Sequence, residues 1–162
     1  MTSGNVWKAG RVVIDDRGIA HKLLWGRRFK LQWSDIFSWN VKDMALLDRS
    51  TGKERITRRL LCFFHRDGMN VISRPVGDKQ FPLIVDRVRR HLPDKEPKPP
   101  WIAYPGTAPF RGGWRQGFSE WWIRDVWFPF WKHLTPDEKD AYLTRYPAPD
   151  DDWLLYLTHY WR

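Results

Sequence analysis

LQWSDIFSW, residues 31–39, is the stretch whose reading decides the fold. It reads as extended chain interrupted by a polar corner at Ser34-Asp35. Trp33 on one side of the corner and Ile36, Phe37 and Trp39 on the other are expected to anchor two successive strands in one core. The run leading into it, RRFKLQW at residues 27–33, alternates cleanly. Phe29, Leu31 and Trp33 share one face, while Arg28, Lys30 and Gln32 share the other. That is the period-two pattern of a half-buried antiparallel strand.

Upstream, RVVID at residues 11–15 is β-branched and leads into Asp15-Asp16-Arg17-Gly18, a turn ending in Gly. IAHKLLW at residues 19–25 resumes extended character, which predicts a hairpin. Downstream, residues 36–41 and 42–47 continue the strand pattern, and residues 49–53 (RSTGK) form a turn. Residues 55–65 read as a long strand, Asp67-Gly68 as a hairpin turn, and residues 69–74 as a return strand stopped by Pro75. From Asp78 the period changes. Phe81, Ile84, Val85, Val88 and Leu92 lie on one α-helical stripe, with Asp78 as N-cap. Arg87, Arg89 and Arg90 sit where the helix dipole favours cations, and Pro93 ends the helix.

Six or seven antiparallel strands closed by one amphipathic helix resemble the pleckstrin-homology (PH) fold, and the bacterial PH-like families in particular. The pieces that carry the resemblance are the strand at 11–15, the Gly-containing turn at 16–19, the strand at 19–25 and Trp33-Ser34-Asp35-Ile36. It covers residues 6–92 and implies an antiparallel barrel or sandwich capped by a helix. Eukaryotic PH domains bind lipid headgroups through basic residues around a long first loop. Here that turn is short and carries Asp15 and Asp16, which repel phosphate, and Lys22 on the next strand is a poor substitute. Specific phosphoinositide binding is therefore not carried over.

Charge and composition divide the chain at the same place. Of the net +9, residues 1–92 hold 19 Lys/Arg against 9 Asp/Glu, whereas residues 93–162 hold 9 against 10. Ten of the 12 prolines and 8 of the 12 tryptophans follow residue 92. The expected organisation is a PH-like domain at 1–92, a Pro-rich connector at 93–112 and a Trp-rich helical extension at 113–162, expected to pack on the first domain. The fold class is α+β, mainly β. The prolines of residues 93–109 favour extended, polyproline-like chain. Beyond them, Ser119 is placed to cap a helix that Pro129 bends or ends. Thr135-Pro136-Asp137-Glu138 is a capping box opening a helix that halts before Pro147, and Asp150–Asp152 open a last one. The clustered tryptophans at 121, 122, 127 and 131 suit core packing better than a membrane interface. Arg124 and Asp125 interrupt them, and the region is not basic.

No catalytic constellation is evident. His21, His65, His91, His133 and His159 are scattered, there is no HExxH pair, P-loop or GxSxG, and the four glutamates are not paired. An enzymatic reading would need a pocket where His65 or His21 meets a carboxylate. Cys62, alone between apolar neighbours, excludes an intrachain disulfide and reads as a small buried hydrophobe. No cofactor or metal is expected. The N-terminus lacks the apolar core of a signal peptide and no apolar run is long enough to span a bilayer, so a cytoplasmic protein is expected, with membrane association at most peripheral. The expected role is a non-catalytic interaction module, an adaptor or a small inhibitor or immunity-type protein, with a protein partner. Its candidate contact residues are Arg27, Arg28, Lys30, Arg58, Arg59, Trp153 and Trp161. The alternative is binding of an anionic membrane or nucleic acid through the basic first part of the chain.

Overall fold

A computed structural model describes residues 6–22, 26, 28–109 and 117–159. The chain divides into two compact units, Met1–Lys95 and Glu96–Arg162. Secondary structure is α+β and mainly β in the first unit, helical in the second.

Seven strands build the first unit, each antiparallel to its neighbour. Strands β1 (Trp7–Ala9), β2 (Val12–Ile14), β3 (Gly18–Lys22) and β4 (Arg28–Gln32) form one sheet in chain order. Strands β5 (Ile36–Leu47), β6 (Glu54–His65) and β7 (Gly68–Pro75) form a second. The two sheets do not close into a barrel. Strand β1 precedes the first one expected from sequence; three residues are too few for period-two alternation to register. The predicted hairpin of β2 and β3 is present. Asp15 Oδ1 accepts from Arg17 N (2.8 Å) and Gly18 N (3.0 Å), closing the turn.

The corner at Trp33–Asp35 is a 3-10 turn that joins the two sheets. Trp33 Nε1 donates to Asp15 O (3.0 Å), and its ring stacks on His91 at 4.6 Å. Trp39 Nε1 donates to Leu92 O (2.9 Å), just past helix α1 (Gln80–His91). The two tryptophans thus tie the corner to the β2–β3 turn and to the helix end. Phe37 departs from the expectation and is exposed. It is the extra residue between the pairs Ile36↔His65 and Ser38↔Phe64, and a bulged residue is turned out of the alternating pattern. The core joins Val12, Ile14, Ile19 and Leu31 of the first sheet to Leu61, Phe63 and Ile72 of the second, with Phe81, Ile84 and Val88 of α1. The N-cap position falls to Lys79, which makes no side-chain cap bond, one residue after the expected Asp78; Asp78 Oδ1 still accepts from Gln80 N (2.8 Å) at the helix start. Leu60, Cys62 and Phe64 point to the opposite side of β6 and are buried as well.

In the second unit the Pro-rich stretch is not wholly extended. Pro100–Ala103 forms a helical turn (α2) with Pro at its first position, where a missing N–H costs no hydrogen bond. Helix α3 (Phe118–Trp122) passes through a π-helical turn, Ile123–Trp127, into α4 (Phe128–His133). Pro129 therefore does not end the helix. A widened turn ahead of it accommodates a ring that would otherwise press on the carbonyl four residues back. Helix α5 (Pro136–Arg145) carries the predicted capping box: Glu138 N donates to Thr135 Oγ1 (3.3 Å) and Thr135 N to Glu138 Oε2 (2.8 Å). Helix α6 (Asp151–His159) is opened by Asp150 Oδ1, which accepts from Trp153 N (2.9 Å). Tyr142 is the hub of the unit. Its hydroxyl accepts from Trp127 Nε1 (3.1 Å) and donates to Pro97 O (2.7 Å), while Phe130, Trp131 and Tyr146 ring it. Trp122, Trp127, Trp131 and Trp153 are buried, so these aromatics are interior side chains.

Candidate interaction surface

Strand pairing assembles a cationic face that no run of the sequence displays. In the first sheet the row Ala9–Val12–His21–Phe29 and the row holding Ile14, Ile19 and Leu31 point inward. The intervening row, Lys8–Val13–Ala20–Lys30, points outward, and Lys22 pairs directly with Arg28 on the same outer side. Lys22 N donates to Arg11 O (3.0 Å), which places Arg11 at the end of that second row. Neighbouring strands lie ~4.8 Å apart, so the patch from β1 to β4 spans about 15 Å. Lys8, Arg11, Lys22, Arg28 and Lys30 are all exposed. Among the described residues none of the five takes part in a salt bridge. Val13 and Ala20 form the floor between them.

The other basic groups expected from sequence are differently placed. Arg58 and Arg59 are adjacent on β6 and therefore point to opposite sides of the sheet. Arg58 Nε donates to Ser73 Oγ (2.6 Å), and Arg59 pairs with Asp43 across the strand (3.3 Å). They do not form one patch with each other. At the end of α1, Arg89 pairs with Asp94 and Arg90 with Asp86. Trp153 is corrected outright as a surface anchor. It is 2% exposed and packs on Trp101 at 5.2 Å, because it shares the inward stripe of α6 with Leu157. Arg27 and Trp161 lie outside the described residues. Of the candidates, Arg28 and Lys30 are brought together. Lys8, Arg11 and Lys22 join them through strand register, which single-strand periodicity cannot report.

The histidines have structural neighbours. His65 Nε2 bonds Asn70 Oδ1 (2.9 Å), not Asp67; His91 stacks on Trp33; and His133 Nδ1 lies 2.6 Å from Pro129 O. His21 is buried on the inner row with its ring edge on Phe29, and among the described residues its Nδ1 has no hydrogen-bond partner. Burial, then the charges of Arg74 and Arg11, hold its pKa below the ordinary imidazole value. Arg74 meanwhile donates to Ala9 O (3.3 Å) and pairs with Asp78 (3.6 Å), linking β7 to the edge of the first sheet. Among the described residues no group of three or more His, Cys, Asp and Glu is arranged to hold a metal ion, and no helix is long and apolar enough to cross a membrane.

Comparison with known proteins finds no matching family model, no matching curated protein and no matching solved structure.

Proposed function

We propose that this protein is a non-catalytic interaction module, an adaptor or a small inhibitor or immunity-type protein, whose first unit is PH-like and engages a protein partner. The PH-like reading is supported by element order: seven consecutive antiparallel strands in sheets of four and three, followed by one amphipathic helix. The observation that carries the function is the outer face of β1–β4, where five exposed cations form no salt bridge among the described residues. Holding like charges together costs stability, and Lys22 directly opposite Arg28 is such a pair. A negatively charged partner relieves that repulsion and is steered toward the face. The same cations suit phosphate, which is the second reading, an anionic membrane or nucleic acid. One feature favours protein over nucleic acid: Val13 and Ala20 offer no ring for base stacking.

The test compares the wild-type protein with Lys22→Glu/Arg28→Glu/Lys30→Glu in affinity capture, and against anionic vesicles and oligonucleotides, across a salt series. The expected outcome is a protein partner retained by the wild type, lost by the triple variant and weakened by salt. Vesicle or oligonucleotide binding that survives at ~0.15 M salt, where charges are screened beyond about 8 Å, and vanishes in the variant would establish the second reading instead. Turnover of a small molecule by purified protein with no partner found would overturn both.

A further inference from the structure

The cationic face is not uniform, and its pattern specifies the form of what it can hold. The middle row runs Lys8–Val13–Ala20–Lys30 across the four strands. Lys8 and Lys30 therefore stand three strand spacings apart, ~14 Å. Between them the floor is two small, half-buried side chains, Val13 and Ala20. Along the strands the charge changes sign. Arg11, Lys22 and Arg28 stand at one end, on neighbouring strands. At the other end the β2–β3 turn carries Asp15, Asp16 and Arg17, a net charge of −1. Asp15 is fixed there by the bonds that its carboxylate accepts from Arg17 N and Gly18 N. From Asp15 to Arg11 the strand runs four residues, ~13 Å.

We propose that this face seats an acidic α-helix of a protein partner, lying along the strands with its C-terminus over Arg11, Lys22 and Arg28. The inference rests on the reading of the face as a protein-binding surface and adds the form of the ligand. A helix with its side chains is about 10–12 Å across and rises ~1.5 Å per residue. It fits between Lys8 and Lys30, and about nine residues of it cover the length from Asp15 to Arg11. A stripe of small apolar residues on its underside rests on Val13 and Ala20. Carboxylates on both sides of that stripe reach Lys8 and Lys30, the pattern of a helix read by its spaced anchors. The helix dipole matches both ends of the face. Its partially positive N-terminus lies over the net negative turn, and its partially negative C-terminus over three cations. A chain of uniform negative charge gains at the cationic end and is repelled at the turn.

Fluorescence anisotropy of the full chain with two synthetic peptides tests this at ~0.15 M salt, where charges are screened beyond about 8 Å. One peptide is an alanine-based helix of about 20 residues with glutamates on both sides of one alanine stripe. The other has the same sequence with its central residues as D-amino acids, which keeps every charge and breaks the helix. The helical peptide is expected to bind at least about tenfold more tightly than its D-containing counterpart. Lys8→Glu and Lys30→Glu are each expected to weaken it at least about tenfold. Ala20→Arg separates shape from charge. It adds a cation but fills the floor, so helix docking is lost, whereas attraction by charge alone is strengthened. Val13→Arg gives the same readout from the neighbouring strand, and far-UV circular dichroism confirms that each variant is folded. Equal affinity for the two peptides, tighter binding by Ala20→Arg, or binding of neither peptide by the wild type overturns the proposal. Tighter binding of anionic vesicles or an oligonucleotide than of the helical peptide overturns it in favour of phosphate. A protein captured by the wild type and lost by Lys22→Glu/Arg28→Glu/Lys30→Glu, while the two peptides bind alike, removes the helix and leaves the protein-binding reading standing.

Discussion

At Gly18 a single hydrogen atom is all the space there is. A Cβ built there would lie 2.0 Å from Leu31 O, a backbone atom of the neighbouring strand that no rotamer change can move. Gly18→Ala is expected to cost about 3 kcal/mol in urea denaturation, at the upper end of what overpacking does; an unchanged midpoint would show that the strands separate freely. His21 sets a pH dependence of opposite origin. Its folded pKa is lowered by burial and by Arg74 and Arg11, so the folded state resists a proton that the unfolded chain accepts below about 6.5. The contribution of neutral His21 is complete above that value and declines as pH falls through it. The thermal midpoint of the wild type should drop more steeply between pH 7 and pH 5 than that of His21→Gln. Parallel curves would exclude the imidazole as the cause.

The elements of the second unit meet at one hydroxyl. Tyr142 Oη takes the Trp127 indole proton from the π-helical turn and gives its own to Pro97 O in the Pro-rich stretch. Burial raises its pKa, so it remains a donor throughout the accessible pH range. Tyr142→Phe keeps the ring contacts with Phe130, Trp131 and Tyr146 and removes both hydrogen bonds. A loss of about 2 kcal/mol is expected, with faster amide exchange in α5. A loss below a few tenths of a kcal/mol would show that ring packing alone holds these elements.

Across the whole molecule, the cationic face sets stability against binding. Because Lys22 and Arg28 are direct cross-strand partners, Lys22→Glu turns a repulsive pair into an attractive one. The variant is expected to be as stable as wild type or more stable by up to about 0.5 kcal/mol, while capturing less partner. Reduced stability together with reduced capture would assign Lys22 to the scaffold. The net charge of +9 does not by itself locate such a surface.

Local chemistry was legible in the chain itself. Alternation in residues 28–32, the Asp15–Gly18 turn, the helical stripe from Phe81 to Leu92 and the capping box at Thr135 each depend on neighbours within four residues, and each is present. Trp33 and Trp39 were legible as anchors but not their partners, since Asp15 O and Leu92 O lie 18 and 53 residues away. The cationic face was half visible. Arg28 and Lys30 alternate on one strand, whereas Lys8, Arg11 and Lys22 reach them only through register. Likewise Arg58 and Arg59 are adjacent in sequence yet opposed across the sheet, and Trp153 is interior although its composition suits an interface. Residue type and short-range period determined which segments extend, turn or coil. Register and packing, which depend on contacts between distant parts of the chain, decided which charges stand together and which tryptophans meet solvent.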